Sequence, residues 1–199
     1  LVLWGPFGTG KSTTLVQSMQ AAAQQGWTIL YLRSAMELTR RVAEVEMSTH
    51  VSGRINDPAR AVQILNEFKQ HNAHVWAKLS ELKTSRAYDW TKKERTEAGR
   101  PITEIVEMGV SAPFLATDCV GGLFRELRLH AQQGAHKLFV GIDDANSLWG
   151  KTLVKRADRT FASPTDLTLV QHYRRLLKGD WANGSIVLVG DKKENADAR

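Results

Sequence analysis

The sequence predicts an α/β fold in which a parallel sheet lies between layers of helices. Apolar runs at 1–4, 27–32, 137–142 and 185–189 alternate with stretches of helical periodicity, and this alternation favours parallel strands that are covered on both faces. A glycine-rich loop follows the first run, and an aspartate ends the third. Together these features predict a three-layer P-loop NTPase, with its nucleotide at the carboxyl ends of the strands.

Composition limits the class of protein. With 199 residues and 42% hydrophobic side chains, the chain suits one domain with a sizeable core. The single cysteine, Cys119, excludes an internal disulfide framework, and no apolar run approaches the roughly 20 residues that span a bilayer. The net charge of +6 favours an acidic partner such as nucleic acid, although it also accompanies mitochondrial matrix proteins. Because Leu1 stands within a strand and no methionine precedes it, we expect a fragment of a longer protein.

The loop after the first strand carries the phosphate-binding pattern GxxxxGK[ST] at 5–12. Its glycines let consecutive backbone N–H groups face a polyphosphate, and the following helix directs its positive dipole end at the same anion. We expect Lys11 to neutralise the β- and γ-phosphates and the Ser12 hydroxyl to ligate Mg²⁺. The predicted nucleotide-binding residues are Gly5, Pro6, Phe7, Gly8, Thr9, Gly10, Lys11, Ser12 and Thr13.

Two consecutive aspartates end the third strand. We expect Asp143 to hold a Mg²⁺-bound water beside the phosphate loop. Asp144 stands where fast NTPases often have a glutamate that orients the attacking water. Its shorter side chain either polarises water weakly, which makes it the candidate catalytic residue, or caps the next turn. A second GK[ST] at 150–152 is not expected to bind phosphate, because Ala145 stands where the paired glycine would be.

Helical periodicity fills the intervals between the strands. Helices are predicted over 13–24, from Ser34 with Val45 directed inward, and from Asp57 to Leu82 as one long amphipathic helix. Two more are predicted over about 117–133 and from Ser163 to about 178. The helical material between the second strand and the strand ending in Asp143 is interpreted as an insertion, about 50–112, within a single domain that covers 1–199.

Four features outside the motifs carry weaker expectations. The segment 85–100 mixes basic side chains with Tyr88 and Trp90, which suits single-stranded RNA, but its acids favour a surface loop with an aromatic anchor. Cys119 is either a reactive thiol or a buried filler, and we favour the filler. The basic connection 151–159 suits RNA phosphates or a solvated loop. Asp191, after the last strand, is expected near the γ-phosphate.

Several runs outside the phosphate loop are typical of one family. They are Trp90-x-Lys92-x-Glu94-x-Thr96-Glu97-x-Gly99, Glu104-x-Val106-Glu107-x-Gly109, Ala116-Thr117-Asp118-x-Val120-Gly121, Asp143-x-x-Asn146-x-Leu148-Trp149-Gly150, Leu169-Val170 and Trp181-x-x-Gly184-x-Ile186-Val187. In these runs the chain resembles the death-associated protein 3 family, the GTP-binding protein of the mitochondrial ribosome's small subunit. The resemblance covers nearly all of the chain.

The resemblance implies an AAA-like P-loop core, a location in the mitochondrial matrix, and residence in the head of the small ribosomal subunit. It implies bound GTP or GDP with Mg²⁺, and ATP stays an alternative because the guanine-reading pattern Asn-Lys-x-Asp is missing from the sequence. Its partners would be small-subunit ribosomal proteins and rRNA, with no membrane span and no independent homo-oligomer. It also implies that the C-terminal part completing the fold lies outside this chain. The phosphate loop carries over to 5–12 and the metal acid to Asp143, whereas Asp144 replaces a small residue.

Two functions from different classes remain at this point. The first is a structural ribosomal protein whose bound nucleotide stabilises the fold. The second is an AAA-type ATPase or GTPase switch, with hydrolysis coupled to assembly or translation and an arginine finger that a partner could supply. A small-molecule kinase has less support, because no substrate-binding lid motif is visible in the sequence.

Overall fold

The computed structural model describes residues 1–42, 44–156 and 158–190, so that Asp191 lies outside the described residues. The strands are β1 (Val2–Leu3), β2 (Thr28–Leu32), β3 (Glu46–Met47), β4 (Ile55–Asn56), β5 (Tyr88–Asp89), β6 (Arg95–Thr96), β7 (Leu138–Ile142) and β8 (Gly184–Val189). The helices are α1 (Lys11–Gln24), α2 (Pro58–His71), α3 (Trp76–Glu81), α4 (Thr103–Ser111), α5 (Ala116–Gln132) and α6 (Thr168–Leu176). Short 3₁₀ helices cover Ala35–Leu38, Ala73–Val75, Pro113–Leu115, Ala145–Leu148 and Pro164–Asp166.

The four strands predicted from apolar runs form one parallel sheet in the order β1-β8-β7-β2. Its register pairs Leu3 with Val189, and it pairs Ile142 with both Leu188 and Leu32. Because parallel strands run in one direction, the loop after β1 and the aspartates after β7 reach the same edge of the sheet, with β8 between their strands. The predicted α/β class with a parallel sheet is confirmed.

β1 differs from the buried strand that its apolar sequence predicts. Leu1, Val2 and Trp4 are 76%, 63% and 51% exposed, whereas β7 is buried along its whole length. β1 lies at one end of the described sheet and pairs there with β8 alone. The local sequence could not show this, because an apolar run does not reveal which strand takes an end position.

Helices cover both faces of the sheet, as predicted. α1 lies on one face, where the fully buried Leu15 packs with Ile29 and Phe139. A Cβ at Gly141 would come within 3.0 Å of Leu15 Cδ1, so this glycine lets α1 lie close to β7. On the other face, α2, α4, α5 and α6 enclose the larger core, to which β7 contributes Val140. The alternating directions of strand side chains produce the two cores.

The long helix predicted from Asp57 to Leu82 is interrupted. It begins as expected, with an Asp57 cap and proline at the first helical position, but α2 ends before Asn72. The fully buried Asn72 side chain accepts a hydrogen bond from the Ile29 N–H at 2.7 Å and donates to the Ile29 carbonyl at 2.7 Å and the Phe68 carbonyl at 2.8 Å. It thereby pairs with β2 as a neighbouring strand would. A 3₁₀ turn and α3 continue the chain.

The other predicted helices agree with the structure to different degrees. α5 begins and ends within one residue of its prediction. The helix predicted from Ser34 is wrong beyond one 3₁₀ turn: Val45 is 42% exposed, and the Ser34 hydroxyl makes no cap and donates to Asp144 instead. Ser163 and Asp166 do form a capping box, but on a 3₁₀ turn that precedes α6.

The segment 85–100 is a hairpin, β5–β6, fixed by aromatic anchors. Tyr88 and Trp90 are 6% and 5% exposed, and their rings stack on each other with centroids 5.1 Å apart. The Trp90 indole donates to Thr96 Oγ1 at 2.9 Å. The buried Glu126 of α5 accepts from the Tyr88 hydroxyl, the Ser85 N–H and the Ser85 hydroxyl. This arrangement agrees with the surface-loop interpretation, because the two rings are not open to bases.

Two expectations from composition can also be compared with the structure. Cys119 is fully buried, and burial followed by the charge of Asp118 raises the pKa of its thiol to about 12, which fits a packing role. Across the described ranges, none of the helices combines the length and the apolar character needed to cross a bilayer.

Candidate functional site

The carboxyl edge of the sheet brings together the chain segments that follow β1, β7 and β2. The Asp143 N–H donates to the Leu32 carbonyl at 3.0 Å, and the Ala35 N–H donates to the Asp143 carbonyl at 2.9 Å. These two bonds fix the start of the segment after β2 against the end of β7. The strand that carries the glycine-rich loop lies two strand spacings from β7, roughly 10 Å, with the end of β8 between them.

The glycine-rich loop has a backbone that requires its glycines. Gly8 and Gly10 have φ of 79° and 80°, a region that glycine adopts without steric cost. A Cβ at either position would meet nothing within 4 Å, so the requirement comes from backbone conformation and leaves open space beside the loop. The Thr9 hydroxyl donates to the Pro6 carbonyl at 2.9 Å and ties the loop to itself, while Phe7 is 96% exposed at its tip.

Lys11 folds back over this loop. Its Nζ donates to the Pro6 carbonyl at 2.7 Å and to the Gly5 carbonyl at 3.2 Å, and it lies 3.5 Å from Thr9 Oγ1. These acceptors are neutral, and a phosphate oxygen would make a stronger, charge-assisted bond with the same ammonium. The ammonium is therefore held next to the loop by contacts that an anion could replace.

The first turn of α1 suits an anion. Gly10 is the N-cap residue and offers no side-chain cap, and the first turn contains no acidic side chain. The first N–H groups of a helix have no partner within the helix, and here no capping side chain takes them. Ser12 and Thr13 are exposed in this turn. The residues present thus fit a phosphate group.

Asp143 lies just beyond β7 and is 8% exposed. Its Oδ1 accepts the Asp144 N–H at 2.9 Å, and burial followed by the Asp143 charge raises the pKa of Tyr31 on β2. No group of three or more His, Cys, Asp or Glu side chains within the described ranges is placed to hold a metal ion. Ser12 and Asp143 offer oxygen donors of the kind that Mg²⁺ prefers, and phosphate oxygens and water usually complete such a site.

Asp144 adopts a left-handed conformation with φ of 52°, which aspartate tolerates better than most residues. Its Oδ2 accepts the Ser34 hydroxyl at 2.5 Å, and it makes no side-chain capping bond to the 3₁₀ helix that follows. Asp144 thus stands at the N-cap position of the next turn, where its carbonyl accepts the Ser147 N–H at 3.0 Å, but its side chain does not act as the cap. Ser34 is the site residue that the sequence did not indicate, because its partner lies 110 positions away and its spacing resembles a capping box.

The GK[ST] pattern at 150–152 forms no phosphate loop, in agreement with its prediction. Residues 151–154 have no regular secondary structure, and Lys151 is exposed. The Thr152 hydroxyl is buried and donates to the Ala162 carbonyl at 2.6 Å. The pattern therefore serves local packing.

Comparison with known proteins identifies the family. The sequence model of the mitochondrial ribosomal death-associated protein 3 family matches residues 1–199. This chain belongs to that family. It is 37% identical over 187 residues to the small ribosomal subunit protein mS29 of Mus musculus, and 36% identical over 187 residues to the protein of the same name from Bos taurus. Each alignment covers 94% of this chain but only 47% and 46% of the relatives, so the chain spans about half the length of the curated relatives it matches.

Membership of the death-associated protein 3 family confirms the resemblance drawn from the sequence runs, and it confirms the mitochondrial location. The match assigns no role to individual residues. Nucleotide binding by 5–13, metal binding by Ser12 and Asp143, and catalysis by Asp144 therefore stay predictions.

Proposed function

We propose that this chain is a nucleotide-binding structural protein of the mitochondrial small ribosomal subunit, which holds GTP or GDP with Mg²⁺ and supports ribosome assembly and mitochondrial translation. The relatives named small ribosomal subunit protein mS29 support the ribosomal role. Nucleotide binding is supported by one observation. Gly8 and Gly10 adopt left-handed conformations and lead into a helix N-terminus that has no side-chain cap and no acidic side chain. The choice of guanine rests on the family resemblance, and ATP is the alternative base.

Each part of the proposed site has its own task. The backbone N–H groups of the loop and of the first turn of α1 would surround the phosphates. Lys11 would leave the carbonyls of Gly5 and Pro6 and neutralise phosphate charge. Ser12 and Asp143 would hold Mg²⁺, directly or through a bound water. The bound metal would reduce the repulsion between the phosphates and the Asp143 carboxylate.

The nucleotide acts in this proposal as a ligand that stabilises the fold. A switch that hydrolyses its nucleotide needs a group that orients water, and Asp144 is one methylene shorter than the glutamate often found at that position. A ligand that binds only the folded state adds roughly 4 kcal/mol at a thousandfold excess over its Kd. For a domain of this size, that corresponds to about 10 °C in Tm.

The test compares Lys11→Ala with a matched control. Lys151→Ala removes the lysine of the second GK[ST] pattern, which is exposed and lies outside the proposed site. We expect Lys11→Ala to release little nucleotide on denaturation, to lose about 10 °C in Tm, and to enter small-subunit particles poorly. Lys151→Ala should match the parent protein in all three measurements.

The released nucleotide is identified by chromatography. Guanosine triphosphate released from purified particles would agree with a ligand that is not turned over. If Lys11→Ala lost its nucleotide but kept its Tm and its entry into particles, the stabilising role would be wrong. If the parent protein released no nucleotide at all, the proposed site itself would be wrong.

A further inference from the structure

A second concave site lies apart from the phosphate loop. A cavity of ≈ 520 Å³ opens between α5, α6 and the β5–β6 hairpin. The α5 residues that line it are spaced along one face of the helix, and α6 contributes a second short stripe. No residue of the phosphate loop and neither aspartate after β7 lines it. The cavity is therefore independent of the proposed nucleotide site.

Two glycines of α5 shape the floor of this cavity. A Cβ at Gly121 would lie 2.4 Å from Cε1 of His172, and a Cβ at Gly122 would lie 3.0 Å from the ring of Trp90 and 3.2 Å from the ring of Tyr88. The distance at Gly121 is shorter than real Cβ contacts allow, and a Cβ at Gly122 would require the two rings to shift by a few tenths of an ångström. The two glycines thus let α6 and the hairpin approach α5, and the concave shape depends on both.

The lining is strongly basic and contains more positive than negative charge. Four arginines and two aspartates line the cavity. Arg95 lies 3.1 Å from one of these aspartates, Asp89, and His50 lies 3.6 Å from the other, Asp118. One arginine, Arg128, is paired with Asp180 at 2.5 Å. Asp89, Asp118 and Arg128 therefore each have an ionisable side chain within 4.0 Å.

The remaining three arginines lack a carboxylate partner. Within the described part of the chain, no carboxylate lies within salt-bridge distance of Arg86, Arg125 or Arg175. Arg86 lies over the Tyr88 ring at 5.0 Å, and Arg125 and Arg175 are exposed. Three guanidinium groups without a carboxylate within salt-bridge distance thus line one concavity.

A partly buried histidine, His172, lies in the same positive electrostatic field. His172 Nε2 is shielded from solvent and has no hydrogen-bond partner in the described structure. Burial, followed by the charges of Arg175 and Arg54, lowers the pKa of His172 to about 4. The ring is therefore neutral at pH 7 and adds no positive charge that would need its own counterion.

We propose that this cavity binds the phosphate backbone of RNA, with Arg86, Arg125 and Arg175 contacting phosphate oxygens. Guanidinium groups match phosphate oxygens through paired N–H donors. The proposal rests on the ribosomal role proposed above, because that role places the chain beside rRNA.

The character of the lining favours an RNA backbone over an acidic protein segment. Protein partners are anchored mainly by apolar and aromatic side chains, and none of the exposed large apolar side chains of the described residues lines this cavity. The rings of Tyr88 and Trp90 cover each other, so bases cannot stack on them. Recognition is therefore of the phosphate backbone, without preference for sequence.

The experiment measures binding of a short RNA duplex of random sequence by fluorescence anisotropy over a series of salt concentrations. Arg125→Gln with Arg175→Gln removes two charges from the cavity. Arg41→Gln with Lys78→Gln removes two charges from exposed residues that do not line it. All four side chains are exposed, so both double variants should fold. Nucleotide release is measured on the same preparations.

We expect the cavity variant to bind RNA about tenfold more weakly. The slope of log K against log salt concentration should become less steep by about two, one for each lost phosphate contact. The control variant should change both much less. Equal losses in the two variants, or no binding by the parent protein, would overturn the proposal. The proposal would also be overturned if poly-glutamate bound saturably at the same arginines and RNA did not displace it. Loss of RNA binding with nucleotide retained separates this site from the nucleotide site, and failure of RNA binding alone leaves the nucleotide proposal standing.

Discussion

Asn72→Ala should destabilise the protein far more than an average buried substitution. The side chain is fully buried and makes three hydrogen bonds, two of them to the N–H and the carbonyl of Ile29 in β2. β2 is at the end of the described sheet, so no other strand there pairs with those two groups. Since Ile29 is 1% exposed, water does not replace the amide easily.

The size of the effect follows from these bonds. The Ile29 N–H and carbonyl would be left buried without a partner, at about 1–3 kcal/mol each, and the bond to the Phe68 carbonyl contributes about 1 kcal/mol. We therefore expect the free energy of unfolding to fall by about 3–7 kcal/mol, a large part of the stability of an ordinary domain. Urea denaturation measures this loss, and the Ile29 amide should also exchange with solvent faster in the native state.

Asn56→Ala is the matched control for this prediction. Asn56 is 3% exposed, and its Oδ1 has no hydrogen-bond partner in the described structure. The control therefore measures the effect of truncating a buried asparagine without losing bonds to a strand. If Asn72→Ala cost no more than Asn56→Ala, the view that Asn72 pairs with β2 as a strand would be refuted.

Three further predictions concern His172, Cys119 and Glu126. The pKa of His172 is lowered to about 4, so its stabilising effect, up to about 3 kcal/mol, is present above the unfolded pKa near 6.5 and is lost as pH falls toward 4. His172→Gln should make the free energy of unfolding depend less on pH over that range, whereas substitution of the exposed His74 by Gln should not. The Cys119 thiol, with its pKa raised to about 12, should resist alkylation at pH 8 until urea unfolds the protein. Glu126→Ala should cost about 3 kcal/mol or more in urea denaturation, because three donors lose their acceptor, and exposed Glu81→Ala should be near neutral.

Each of these predictions has an outcome that contradicts it. An unchanged pH profile in His172→Gln would mean that the ring is not held neutral by its surroundings. Rapid alkylation of native Cys119 would mean that the first turn of α5 opens to solvent. A small cost for Glu126→Ala would mean that the hairpin is held by its aromatic rings alone.

The sequence predicted those parts of the fold that depend on local periodicity. The parallel strands are continuous apolar runs, and α5 has a regular apolar stripe, so their bounds are close to prediction. The glycine-rich loop also agrees with its sequence, because Gly8 and Gly10 adopt the left-handed conformation that glycine favours, whereas phosphate binding by the loop stays a prediction. The family-specific runs add information of another kind, since they identify relatives without explaining any contact.

The parts that the sequence did not predict depend on partners far along the chain. The helix break at Asn72 comes from a bond to Ile29, 43 positions earlier, and no local signal marks it. Ser34 has the spacing of a helix cap, yet its hydroxyl bonds Asp144 across the sheet edge. Glu126 is a charged residue on an amphipathic helix, and only the hairpin that packs on it explains its burial. In each case the decisive contact joins elements that meet only in the folded chain.

The position of β8 has a consequence for biosynthesis. A ribosome releases the amino end of a chain first, so β1 and its loop emerge long before β8. Among the described strands, β1 pairs only with β8, and closing so long a loop is entropically slow. The strand bearing the glycine-rich loop therefore waits for its described neighbour until 184–189 has been synthesised. If the glycine-rich loop binds a nucleotide as proposed, capture of that nucleotide would follow the pairing of β1 with β8.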